Sequence, residues 1–225
     1  MRIIAICGLG GSGKEILDLV ERINAQENRW DKIIFCDKSV KERIFKGYEV
    51  YTFEDIEENM NDYDVQFTIS VGDSNVREKI YTQVMESQFH LASLIAPGVY
   101  VPQSTTLGCG VIIRDNSYIS VDVVLEDNVL IQPNVLVGHD VHIGKNSIIS
   151  PQSAIGGGVV VGKNTFIALG CAIKELVNIG DNTIVSMGTV VNKDVASGVI
   201  VRGNPVEVVS RNFLGSAFLL NRRNK

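Results

Sequence analysis

From Ile95 to Val191 every sixth residue is aliphatic: Ile95, Val101, Leu107, Ile113, Ile119, Leu125, Ile131, Val137, Ile143, Ile149, Ile155, Val161, Ile167, Ile173, Ile179, Val185 and Val191. Two positions before many of them sits a small or β-branched residue, such as Val111, Val123, Ser147, Ser153, Val159, Thr165, Cys171 or Thr183. The residue between each such pair is free to vary. That is the alternation of a short strand, two side chains inward around one outward. A fixed short period over so long a stretch predicts stacked units, none of which buries its apolar side chains alone.

A slower period lies on top. The segments 125–128, 143–146, 161–164 and 179–182 recur every eighteen residues, and each ends in Asn. Three hexads therefore make one coil, with Asn and Gly at corners where the backbone needs positive φ. The pattern predicts a parallel β-helix of five to six coils and says nothing of its handedness.

Before the hexads the pattern is of another kind. Ile3 to Cys7 is a short apolar run, followed by the glycine-rich Gly8-Leu9-Gly10-Gly11-Ser12-Gly13 and then by Ile16, Leu17, Val20 and Ile23 at helical spacing. Ile33 to Cys36 reads as a second strand ending at Asp37, and Val65 to Val71 as another ending at Gly72. Residues 75–89 carry Val76, Ile80, Val84 and Met85 on one helical face. Alternating strands and helices define a small α/β unit with a parallel sheet. The expected division is residues 1–93 as a Rossmann-like domain, 94–210 as the solenoid and 211–225 as a tail. The tail mixes Phe213, Leu214, Phe218, Leu219 and Leu220 with Arg222, Arg223 and Lys225, and is expected to cap the open last coil.

Composition narrows the class. A chain of 225 residues with 45% hydrophobic content can bury a sizeable core. A net charge of −5 with no long basic run argues against a nucleic-acid partner. No integral membrane segment or leader pattern is read at the start, and a cytoplasmic protein is expected. Cys7, Cys36, Cys109 and Cys171 match no metal or redox spacing, so reduced structural thiols are expected.

Gly8, Gly10 and Gly13 with Asp37 fit a dinucleotide turn, in which backbone amides at a helix N-terminus face a pyrophosphate and an acidic residue meets a ribose hydroxyl. Glu15 stands where a P-loop has Ser or Thr, so a P-loop is set aside. A tight strand-to-helix turn without ligand remains an alternative. Two of the three histidines lie in Val137-Gly138-His139-Asp140-Val141-His142. Hexad geometry puts Val137, Val141 and Ile143 inside, His139 in a turn and His142 outward, and either histidine also suits a plain surface position. His90 reads as a helix-end residue.

Together these segments resemble the hexapeptide-repeat bacterial sugar acetyltransferases, similar to those of the bacillosamine pathway and to sialic-acid O-acetyltransferases. The resemblance covers nearly the whole chain, and it alone implies that the β-helix is left-handed. It implies acetyl-CoA as acyl donor, a nucleotide-sugar acceptor acetylated on an amino or hydroxyl group, and a homotrimer with the donor between neighbouring solenoids. On the acceptor side it implies Gly10, Gly11 and Ser12 in the turn, Asp37 and Lys38 after the second strand, and Gly72. Lys38 stands where the family often has a second acidic residue. His139 is implied as the general base and Asp140 as its partner, since attack on a thioester needs a proton acceptor titrating near neutrality. On the donor side the resemblance implies the Gly157 amide, within Gly156-Gly157-Gly158, toward the thioester oxygen, with Leu169 and Met187 beside pantetheine. Ile148 takes the place of a second family histidine, so the acetyl group would be held differently there. No metal is expected: the zinc-dependent enzymes on such solenoids need three histidine ligands, and the coils carry two. A trimeric sugar-nucleotide-binding protein without catalysis is the other reading, and His139-Asp140 argues against it.

Overall fold

The computed structural model describes residues 1–38 and 43–213. The N-terminal unit runs β1 (Arg2–Cys7), α1 (Gly11–Glu27), β2 (Lys32–Cys36), β3 (Ile44–Phe45), β4 (Tyr48–Tyr51), α2 (Phe53–Asn59), β5 (Asp64–Ile69), α3 (Ser74–Met85) and β6 (His90–Leu91). The sheet order is β3-β4-β2-β1-β5-β6, parallel except for the β3–β4 hairpin. β1 is buried over Ile3 to Cys7, which is why its run is continuously apolar rather than alternating. In this unit the β3–β4 hairpin, α2 and the short β6 escaped the sequence pattern. Thr52 and Asp55 nevertheless form a reciprocal capping box at the start of α2, a signal present in the sequence. His90 opens β6 rather than ending a helix.

The hexads form two-residue strands from β7 (Leu94–Ile95) to β22 (Val190–Val191), stacked into three parallel faces. The first face holds residues 94–95, 112–113, 130–131, 148–149, 166–167 and 184–185. The second holds 118–119, 136–137, 154–155, 172–173 and 190–191. The third holds 106–107, 124–125, 142–143, 160–161 and 178–179. Register advances by eighteen residues per coil, as in Val124↔His142↔Val160. The hexad aliphatics from Ile113 onward are buried in one column with Val111, Val123, Val135, Val141, Val159, Cys171 and Val177. Where the inward position is polar it is satisfied: Ser147 Oγ donates to Gly162 O at 2.7 Å and accepts from Thr165 N at 3.0 Å.

Corner residues take the left-handed conformation, including Asn128, Asn146, Asn164 and Asn182 between the third and first faces, at φ 54–59°. A buried Asn128 Nδ2 donates to Asn146 Oδ1 at 2.8 Å, so this column also links coils through its side chains. β23 (Val199–Arg202) extends the first face and β24 (Glu207–Arg211) turns back on it antiparallel. The expected tail thus begins inside a strand at Arg211, and residues 214–225, the rest of the proposed cap, lie outside the described residues.

The two units share a core. α1 packs Ile16, Leu19, Val20 and Ile23 between β1 and the outer side of the first solenoid face, where Leu94, Ile112, Leu130 and Ile148 are buried. Arg22 makes a bidentate pair with Asp115 at 2.8 and 2.9 Å, and Arg114 reaches Glu15 at 3.1 Å. α3 docks on the Asn corner: Tyr81 donates to Asp127 at 2.8 Å and Asn164 to Glu78 at 3.1 Å. Arg77, fully buried, donates to the carbonyls of Ile69, Val71 and Asn128 and to Asn128 Oδ1. Burial lowers its pKa to about 9, which leaves it cationic at neutral pH.

Candidate active site

His139 stands at the corner between the second and third faces, following the strand Leu136–Val137. Asp140, at φ +57°, turns the chain there and puts its carboxylate beside the ring: His139 Nδ1 and Asp140 Oδ2 are 2.7 Å apart. A carboxylate on Nδ1 holds the proton on that nitrogen and leaves Nε2 as the basic atom. Both side chains are about two-thirds exposed, at 66% and 64%.

Nε2 lies directly over Gly157, the residue one coil on. A Cβ at Gly157 would sit 2.6 Å from Nε2 and 2.7 Å from Cε1. Glycine is required there to make room for the imidazole. The Gly157 N–H has no acceptor among the described residues, whereas at the corner between the third and first faces the equivalent amides of Lys145 and Lys163 donate to Glu126 and Asp181. A basic nitrogen and an unpaired amide therefore share one small patch of surface, the pairing an acyl transfer needs at its proton acceptor and its oxyanion.

The other donor-side residues fall elsewhere. Leu169 and Met187 are exposed, at 46% and 70%, on the corner between the first and second faces, so the width of the second face separates them from His139 within one protomer. Ile148 is fully buried among Leu130, Ile112 and α1, so its side chain serves the joint between domains. His142 projects outward as read, and its Nε2 lies 2.7 Å from Glu126 Oε1.

The acceptor-side residues cluster in the N-terminal unit. A cavity of about 380 Å³ is lined by Gly8, Asp37, Lys38, Val71, Val76 and Lys79 among others. Cys7 and Cys36, paired in register on β1 and β2, also line it. The hydrogen bond to Cys36, and then burial, raise the Cys7 thiol well above its ordinary value, so it is protonated and inert. Gly10 caps α1 without a side chain, and Gly11 and Ser12 form its first turn. A Cβ on Gly10 or Gly11 would meet nothing within 4 Å, so the chain is uncrowded where the helix begins. Gly13 is glycine for a different reason: a Cβ there would lie 2.2 Å from Gly8 O. Gly72 follows Val71 and is half-buried outside the cavity lining. Among the described residues no three His, Cys, Asp or Glu side chains converge as a metal site requires, and no helix is long and apolar enough to cross a membrane.

Comparison with known proteins accords with this geometry. Residues 3–84 match the PglD N-terminal domain, and residues 122–157 match the bacterial transferase hexapeptide (six repeats). PerB of Caulobacter crescentus, solved with CoA and GDP-perosamine, is 25% identical with a TM-score of 0.84, over 93% of this chain and 98% of that one. The acetyltransferase domain of PglB from Neisseria gonorrhoeae FA1090 is also 25% identical, with a TM-score of 0.84 over 93% of this chain and all of that one. WeeI of Acinetobacter baumannii AYE, 24% identical with a TM-score of 0.84, shares the fold over 93% of this chain and 100% of its own. No curated protein sequence matches the chain. The two domains in this order make the chain a hexapeptide-repeat acyltransferase with a Rossmann-like N-terminal domain and a left-handed β-helix. The structural neighbours PerB and the PglB acetyltransferase domain are sugar acetyltransferases of the perosamine and bacillosamine type.

Proposed function

We propose that the chain transfers an acetyl group from acetyl-CoA to an amino or hydroxyl group of a nucleotide-activated sugar in glycan biosynthesis, working as a homotrimer. The observation that carries the reading is His139 Nε2 lying over Gly157, with Asp140 on the far ring nitrogen. PerB, solved with CoA and GDP-perosamine, supports the choice of donor and of acceptor class. The cavity beside Asp37 and Lys38 and the uncrowded start of α1 at Gly10, Gly11 and Ser12 suit the nucleoside and its pyrophosphate. A trimer would bring a neighbour's Leu169 and Met187 toward the His139 corner, which explains why one protomer keeps them apart.

His139 Nε2 takes the proton from the attacking amine or hydroxyl. Asp140 stabilises the imidazolium that forms and keeps the ring in its working tautomer. The Gly157 N–H faces the charge that develops on the thioester oxygen. The proton then returns from His139 toward the departing thiolate.

The test is His139→Ala beside His142→Ala, with steady-state turnover and thermal midpoint measured for each. His139→Ala is expected to lower kcat about 10²- to 10⁴-fold, the range positioned proton transfer supplies. Its midpoint should hold, because the exposed ring fills no core space. His142→Ala should lose clearly less. Full activity in His139→Ala would end the assignment.

A further inference from the structure

Four residues eighteen apart hold the same left-handed position at the catalytic corner: Asp122, Asp140, Gly158 and Leu176. Asp and Gly suit that conformation. Leucine does not, having neither a local polar side chain to hydrogen-bond nor glycine's freedom, yet Leu176 sits at φ +61°. It is also 75% exposed, so core packing does not explain the strain. Strain held without burial points to a role outside the fold.

Its surroundings say which role. Leu176 N–H donates to Gly157 O at 2.9 Å, which ties it to the residue beneath His139. Its Cδ2 lies 2.7 Å from where a Cβ of Gly158 would be, so the side chain lies along the glycine strip. The corner thus runs from a basic imidazole, across bare backbone with an unpaired amide, to an exposed apolar side chain. A molecule with a polar reacting end and a thin, partly apolar stem matches that sequence of surfaces.

We infer that Leu176 is a binding contact for the acyl donor, packing against the stem of the thioester where it leaves the Gly157 amide. This rests on the acetyl-CoA reading above. Leu176→Asn separates binding from folding, because Asn is at ease in the left-handed region and is what the neighbouring corner uses at Asn128, Asn146, Asn164 and Asn182. In the full chain, Leu176→Asn should leave the thermal midpoint unchanged or raised by up to about 4 °C. The KM for acetyl-CoA and the Kd for CoA should both rise, by roughly 5- to 30-fold, the part of a leucine's burial that a one-sided contact supplies. The KM for the nucleotide sugar should not move, and Leu176→Met, which keeps an apolar side chain, should restore most of the CoA affinity. CoA binding unaltered in Leu176→Asn, beside a wild type that binds CoA, would overturn the inference alone. A fall in oligomer mass by light scattering would overturn it by making Leu176 a contact between copies. A wild type that binds neither CoA nor acetyl-CoA would overturn the acetyltransferase reading and this inference with it.

Discussion

At the His139 corner the decisive neighbour of the imidazole is a residue with no side chain. Gly157→Ala would put a methyl group 2.6 Å from Nε2, and the ring can yield only by swinging away from Asp140 or from the glycine strip. We expect a loss in kcat of about tenfold or more, with a midpoint within a degree or two of wild type because the ring moves into solvent; stopped-time acetylation assays and thermal melts read both. Residue types and period made part of this legible. His139-Asp140 stands out in the sequence, and the eighteen-residue spacing already places Gly157 one coil beyond His139. What the spacing lacks is the direction of the imidazole, which depends on a rotamer set by Asp140. Leu176 was hidden for a related reason, since its oddity appears only once φ is known.

Among the elements, α1 is longer than its apolar stripe: the sequence marks Lys14 to Ile23, and the helix runs from Gly11 to Glu27. Its flank is held to the solenoid by Arg22 to Asp115 and by Glu15 to Arg114. These partners come from about a hundred residues away, and no local pattern carries them. The Arg22 guanidinium holds the Asp115 carboxyl below the usual carboxylate range despite partial burial. A depressed carboxylate stabilises the fold above its unfolded pKa of 3.8, and that contribution is lost as pH falls through the lower folded value. Asp115→Asn should therefore cost about 1 kcal/mol at pH 7 and melt with a shallower pH dependence below 3.8 than wild type. Denaturant titrations at pH 7 and at two acidic pH values check the sign. α2 and the β3–β4 hairpin were missed for the opposite reason: they are short, and only the Thr52–Asp55 cap announced one of them.

For the molecule as a whole, the buried Arg77 is the rivet, bonding the end of β5 and the chain just after it, beside the cavity lined by Asp37 and Lys38, and the Asn corner of the solenoid at once. Arg77→Met should leave those carbonyls unpaired and cost about 3 kcal/mol or more, read in scanning calorimetry as a midpoint lower by roughly 6 °C or more. The period foretold the solenoid, and the glycine turn foretold the α/β unit. Which face the unit covers was not foretold, because Ile112, Leu130 and Ile148 occupy outward hexad positions that are ordinarily variable. The solenoid also works as a dial. Each hexad turns the chain by a third of a revolution, so losing six residues between the covered face and His139 would swing the imidazole about 120° around the axis, onto another corner. Losing eighteen would keep its bearing and move it along the axis by one strand spacing, about 4.8 Å. In this architecture, lengths drift safely only in whole revolutions, and anything less repoints the chemistry.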